Sequence, residues 1–147
     1  MKIYLDACCL SRLTDDQSQA RIREETRAIE QMLTQVREST LYLISSEALE
    51  EEVRRNPSLD RRLEAQAILD FAITSVKIDE VAIRRAQVLV RLRYGPFDAL
   101  HIASAESAAV DVLLSTDDRL IKQAARGLGS PRIRVRNPVS WIEEQKP

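Results

Sequence analysis

Lys2-Ile3-Tyr4-Leu5-Asp6 is a short apolar run closed by a carboxylate. The form recurs where Leu41-Tyr42-Leu43-Ile44 runs into Ser45-Ser46, and where Val110-Asp111-Val112-Leu113-Leu114 runs into Ser115-Thr116-Asp117-Asp118. Brief apolar runs stopped by polar residues read as buried strands. Ser75-Val76-Lys77-Ile78 is a further β-branched run, and Arg132-Ile133-Arg134-Val135-Arg136 alternates charge with apolar residues, as an edge strand with one face in water does. Between the runs lie charged segments with helical spacing. Gln19 to Glu38 carries Ile22, Ile29, Leu33 and Val36 on one side, and Asp79 to Leu92 carries Ala82, Ala86, Leu89 and Val90. Pro57 separates two more helices, Ser46 to Arg55 and Leu59 to Ala72, and Gly95-Pro96 opens one that continues through Ser107. Strands alternating with helices predict a parallel sheet with helices on both faces.

Length and composition predict a single domain over residues 1–147, since 147 residues with 44% apolar content suffice for one sizeable core. No Gly/Ser-rich or Pro-rich linker, internal repeat, signal-like leader or long apolar run interrupts the pattern, so the expectation is a soluble, cytoplasmic protein with no membrane contact. Cys8 and Cys9 are adjacent and the chain has one histidine, His101, which leaves too few ligands for a zinc cage. Both cysteines read as reduced residues near the end of the first strand. With 22 basic and 23 acidic residues, composition carries no sign of a nucleic-acid partner, and any polyanion would have to meet a local basic patch.

Four acids stand out by position. Asp6 and Asp117 directly follow strands, where Asp also serves as a turn or N-cap residue. In the Ser46 to Arg55 helix, at about 100° per residue, Ala48, Leu49 and Val53 span an arc that includes Glu52 and leaves out Glu47, Glu50 and Glu51. Glu52 is therefore the acid aimed inward, with Glu51 as the fallback. Asp98 lies in the first turn of the helix opened by Pro96, where the helix dipole favours an acid, but it shares a side with Ile102 and Ala105 and so points toward the sheet. His101 on that helix reads as a packed, hydrogen-bonded residue.

If the strands lie side by side, Asp6, Glu52, Asp98 and Asp117 converge at one end of the sheet, where open α/β folds bind ligands. Two carboxylates about 5 Å apart repel by about 3 kcal/mol at an effective dielectric near 20. A domain has only about 5 to 15 kcal/mol of total stability. Such a cluster protonates in part, spreads or holds a cation. Oxygen donors select Mg²⁺, with Mn²⁺ as substitute, and that chemistry suits phosphodiester hydrolysis.

The stretches Ile3 to Cys8, Ile44-Ser45-Ser46 through Glu52-Val53, Phe97-Asp98-Ala99-Leu100-His101-Ile102-Ala103 and Leu114-Ser115-Thr116-Asp117-Asp118-Arg119-Leu120 resemble, in order, the four motifs of PIN-domain nucleases. Phe97 to Ala103 is the most specific of them. The resemblance implies an α/β fold, a three-layer α/β/α sandwich whose mostly parallel sheet has the order 3-2-1-4-5. It places the catalytic acids on Asp6, Glu52, Asp98 and Asp117, with Asp6, Asp98 and Asp117 as metal ligands and Asp118 as a helper. It further implies metal-dependent endonucleolytic cleavage of RNA, leaving a 5′-phosphate and a 3′-hydroxyl. Frequent homodimers are implied, as is similarity to VapC-like toxins held inactive by a cognate antitoxin. One departure is Cys8, which stands where the family often has Asn or another hydrogen-bonding residue; a thiol is a weaker donor.

Phosphate contacts position a nucleic acid without reading it, and Arg12, Arg119 and Lys122 are the candidates, against the reading of solvated helix surface. Tyr4, Tyr94 and Phe97 are the aromatics available for base stacking, two of them expected in the core. Two other classes compete. A receiver-like phosphoacceptor around Asp6 expects a lysine after a late strand, and Lys122 sits inside a helix. An inactive PIN-like scaffold that binds RNA or protein would offer the apolar side of the Gln19 to Glu38 helix.

Overall fold

The computed structural model describes all residues, 1–147. Its elements in chain order are β1 (Lys2–Leu5), α1 (Ala7–Arg12), α2 (Ala20–Arg37), β2 (Tyr42–Ser46), α3 (Glu47–Arg54), α4 (Leu59–Leu69), β3 (Thr74–Val76), α5 (Glu80–Arg91), α6 (Pro96–Ser107), β4 (Val112–Leu114), α7 (Asp118–Ala125), β5 (Arg134–Arg136) and α8 (Pro138–Gln145). The five strands form one parallel sheet in the order β3-β2-β1-β4-β5, flanked by helices as the three-layer reading requires. β1 is central: Ile3 pairs with Leu43 on one side and Val112 on the other. Its apolar residues are fully buried, which is why it reads as a continuous apolar run rather than an alternation.

The chain winds outward from β1 to β2 and β3, then returns to the other side of β1 for β4 and β5. The reversal puts a crevice beyond the carboxyl ends of β1 and β4. Asp6 begins one wall of that crevice and Ser115 to Asp117 begin the other. Helix α6 packs on β2 and β4 and against α3, so the Asp98 and Glu52 segments reach the same end.

The structure adjusts several expected boundaries. The strand expected at Ser75–Ile78 is Thr74–Val76, an edge strand with one hydrogen-bonded neighbour, and only Val76 is partly buried. Val90 of α5, expected in the core, is exposed, because α5 buries only Ala82, Ala86 and Leu89. The apolar side of α2 is covered by the core through Ile29, Met32, Leu33 and Val36, so it is no free partner surface. Helix α8 was not foreseen, although Asn137-Pro138 is an N-cap followed by Pro at the first helical position. It buries Trp141 and packs on α2.

Candidate active site

Asp6 directly follows β1 and is the N-cap of α1. Its Oδ1 accepts the Cys9 N–H at 3.1 Å and the Cys8 thiol at 2.7 Å, and its own N–H donates to the Leu114 carbonyl at 3.1 Å, tying the ends of β1 and β4. Cys8 thus does what the polar residue at its place would do: it donates to Asp6, and its sulfur accepts the Thr116 N–H at 3.3 Å. Asp6 is 3% exposed, and burial first, then Cys8, push its carboxyl well above the usual carboxylate range.

Asp117 caps α7, its Oδ1 accepting the Arg119 N–H at 2.9 Å and the Leu120 N–H at 3.4 Å, while Ser115 Oγ accepts the Asp117 N–H at 3.0 Å. The capping role weighed from sequence is therefore present, and it leaves Oδ2 of Asp117 outside the cap. Asp98, in the first turn of α6, accepts no hydrogen bond from the protein. Burial first, then the charge of Asp6, with Asp117 and Glu52 adding to them against the lowering effect of His101, raise its carboxyl to about 6. All four motif acids are thus close enough to act on one another electrostatically.

Glu52 reaches the group through a relay that sequence reading did not anticipate. Ser46 Oγ, which caps α3 by accepting the Leu49 N–H, lies 2.6 Å from the Tyr4 hydroxyl; that hydroxyl lies 2.7 Å from His101 Nδ1, and His101 Nε2 lies 2.7 Å from Glu52 Oε1. One assignment of hydrogens satisfies every member: Ser46 donates to Tyr4, Tyr4 donates to Nδ1, and Nε2–H donates to the Glu52 carboxylate. Burial raises Tyr4, keeping the phenol protonated. His101, 1% exposed, is thus a positioning group for Glu52, and Phe97 stacks on it from one side under the Arg55 guanidinium.

Other residues lie elsewhere. Glu51, the fallback, is held by Arg54 and by Arg55 at 3.0 Å on the outer side of α3. Asp118 is exposed and takes both oxygens to Arg21, at 2.8 and 2.9 Å, away from the acids. Arg12 is engaged by Glu25 at 2.8 Å and Asp15 at 2.6 Å. Arg119 and Lys122 are exposed on α7 without ion-pair partners. Tyr4 and Tyr94 are buried, and Phe97 is the aromatic left half-exposed.

No Lys or Arg pairs with Asp6, Asp98 or Asp117, so their negative charge is uncompensated within the chain; a divalent cation fits that deficit. Ligand atoms of Asp6, Cys8 and Cys9 also lie within 4.8 Å of one another. Cys9, however, donates to the Leu114 carbonyl at 3.3 Å, and burial pushes its thiol well above the usual range, so it supplies no thiolate. The available donors are mainly hard carboxylate oxygens, the set that suits Mg²⁺ or Mn²⁺.

Solved structures share this fold. The chain resembles a structure of VapBC2 from Rickettsia felis bound to a DNA fragment from its promoter, at 11% identity and a TM-score of 0.59, covering 93% of this chain and 98% of that one. It also resembles PAE2754 from Pyrobaculum aerophilum, at 14% identity and a TM-score of 0.52, covering 97% and 86%. At such identities these likenesses show the fold. No curated protein matches the sequence. No helix is long and apolar enough to cross a membrane. The PIN domain model matches residues 3–126, most of the chain and all four acidic motifs, and on that match the chain belongs to the PIN domain family, the family of nucleases its motifs resemble.

Proposed function

We propose that residues 1–147 act as one Mg²⁺- or Mn²⁺-dependent endoribonuclease domain in the cytoplasm, the toxin of a toxin–antitoxin pair. The observation that carries this reading is the uncompensated state of Asp6, Asp98 and Asp117, three acids from three elements at the sheet's switch point, with no cation of the chain beside them. Asp6, Asp98 and Asp117 would hold the metal, and Glu52, oriented by His101, would complete the catalytic group. When bound, the ion supplies Lewis-acid charge at a phosphoryl oxygen and lowers the pKa of water. Glu52 is the candidate to take a proton from an attacking water, since its carboxylate is oriented by one hydrogen bond from His101 and is only partly buried. Cys8 and the Cys9 N–H fix Oδ1 of Asp6, so one carboxylate orientation is set before any ligand arrives.

The toxin assignment draws on the motif resemblance to VapC-like toxins, and the fold shared with VapBC2 is consistent with it; a cognate antitoxin and a homodimeric state belong to the same proposal. Arg119 and Lys122 are the phosphate contacts of this reading. Arg12 reaches substrate only by leaving Glu25 and Asp15. The test is cleavage of end-labelled RNA by purified protein in Mn²⁺ or Mg²⁺. Cuts that disappear with EDTA and with Asp98→Asn support the proposal, and equal cutting by wild type and Asp98→Asn defeats it.

A further inference from the structure

Most basic side chains of this chain are tied to acids, carbonyls or rings. Arg93, Arg119, Lys122 and Arg126 are not: all four are exposed, none makes an ion pair or side-chain hydrogen bond, and together they line a single cleft with Gln123, Leu92 and Leu128. Three of them recur at i, i+3 and i+7 along α7 and its C-cap Arg126, one face of a helix whose other face carries Leu120. The fourth comes from a different element. Arg93 follows the C-cap of α5 in the left-handed region, φ 75°, the usual end of a helix, as Ser39 and Ala109 do after α2 and α6. Its carbonyl accepts from Gln123 Nε2 at 3.1 Å, which pins the turn against α7. A solvated helix surface accounts for the α7 cations alone; it does not account for the fourth, which comes from the turn after α5 and lines the same cleft.

Both walls of the cleft start at the acids. Arg119 is two residues beyond Asp117, and its N–H donates to that carboxylate. Gly95, two residues beyond Arg93, lies so close to Asp98 that a Cβ there would stand 3.4 Å from Oδ2. An uncompensated negative centre therefore opens directly into an uncompensated positive channel. A chain of phosphates uses both: one phosphate meets the metal-loaded acids and its neighbours meet the cations. An acidic protein segment fits less well, since protein interfaces are anchored by buried apolar and aromatic side chains and this cleft offers only Leu92 and Leu128.

The geometry points to a phosphate track in which Arg93, Arg119, Lys122 and Arg126 hold the backbone of single-stranded RNA on one side of the scissile bond, an assignment that rests on the nuclease reading above. Contacts of this kind give affinity and register without base specificity.

The test is anisotropy of a short fluorescent single-stranded RNA with the full-length protein in EDTA, titrated between about 50 and 200 mM salt. Four phosphate contacts at about 0.7 each make the slope of log K against log salt about 2.8 steeper for wild type than for R93Q/R119Q/K122Q/R126Q. Over that fourfold rise in salt, this is roughly a fifty-fold additional weakening. Charge-retaining R119K/K122R keeps the wild-type slope, and R27Q/K77Q/R91Q, which removes exposed cations elsewhere, keeps it too. The proposal is overturned if the quadruple variant retains the wild-type slope, if the elsewhere variant loses as much, or if poly-glutamate displaces the RNA at matched charge concentration. Cleavage in Mn²⁺ is scored separately. A wild type that binds through the cleft but never cuts defeats the nuclease reading and supports the track; one that cuts while binding independently of the cleft defeats the track alone.

Discussion

Two groups of buried acids in this molecule are handled in opposite ways. Glu25 on α2 is 1% exposed and fully answered: Arg12 donates to Oε1 at 2.8 Å, and Arg21 at 3.3 Å and Asn137 at 2.6 Å donate to Oε2. Glu106 on α6 is treated likewise, by Arg85 at 2.7 and 3.0 Å and by the Arg132 N–H at 2.8 Å. Asp6 and Asp98 are buried or largely buried with no cation, and their carboxyls are pushed upward instead. A buried acid with its cations serves the fold, here by tying α1, α2 and α8 together. A buried acid without them costs stability and waits for a charge from outside.

The comparison breaks most visibly at Asp98. Asp98→Asn is expected to reduce metal-dependent cleavage by roughly a thousandfold, several kcal/mol of transition-state stabilisation, while the thermal midpoint at neutral pH stays level or rises. A fall in that midpoint with cleavage retained would put Asp98 in the same class as Glu25. The converse is expected at Glu25. Glu25→Ala leaves Arg12 and Arg21 without their shared acid and should cost about 3 kcal/mol, read from urea unfolding, with residual activity per folded molecule preserved.

Acidity sharpens the same contrast. The Asp98 carboxyl stands at about 6 in the fold, against about 4 in the unfolded chain. Between those values the folded state holds the additional proton, so stability without metal falls as pH rises from about 4 to about 6 and is level above that, a loss of about 2 kcal/mol after allowance for partial exposure. Unfolding curves across that range should show this decline in wild type and a flatter line in Asp98→Asn. Metal affinity moves the other way, strengthening as the carboxyl ionises. The smallest effect is expected at Tyr4→Phe. Removing the hydroxyl between Ser46 and His101 should cost about 1 to 2 kcal/mol of stability and lower cleavage modestly, through a less firmly held Glu52.

Legibility was uneven, for a physical reason visible in single residues. The rule that picked Glu52, an acid on the apolar arc of a helix, applies equally to Glu25, three residues after Ile22 and four before Ile29, and to Glu106, four after Ile102. Helical spacing reports that such a side chain points inward; it is silent on whether a cation meets it there. Arg12 looked like a phosphate contact because it follows the first motif, yet Asp15 and Glu25 hold it. The cleft on α7 was half visible, as Arg119 and Lys122, while Arg93 was hidden in a turn whose direction no local pattern reports.

The amino-acid sequence by itself determined the alternation of buried strands and amphipathic helices, the acids that close β1 and β4, and the motif order that marks the family. These depend on spacings of two to four residues and on the match of each segment to its own surroundings. Only the tertiary structure decided which acids are met by cations and which are left without them. Asn137 meets Glu25 across 112 residues, and Tyr4 meets His101 across 97. Such partners are chosen by packing around the sheet, because a charge is compensated by whatever lies within a few ångströms in space, however far apart the two residues stand in the chain.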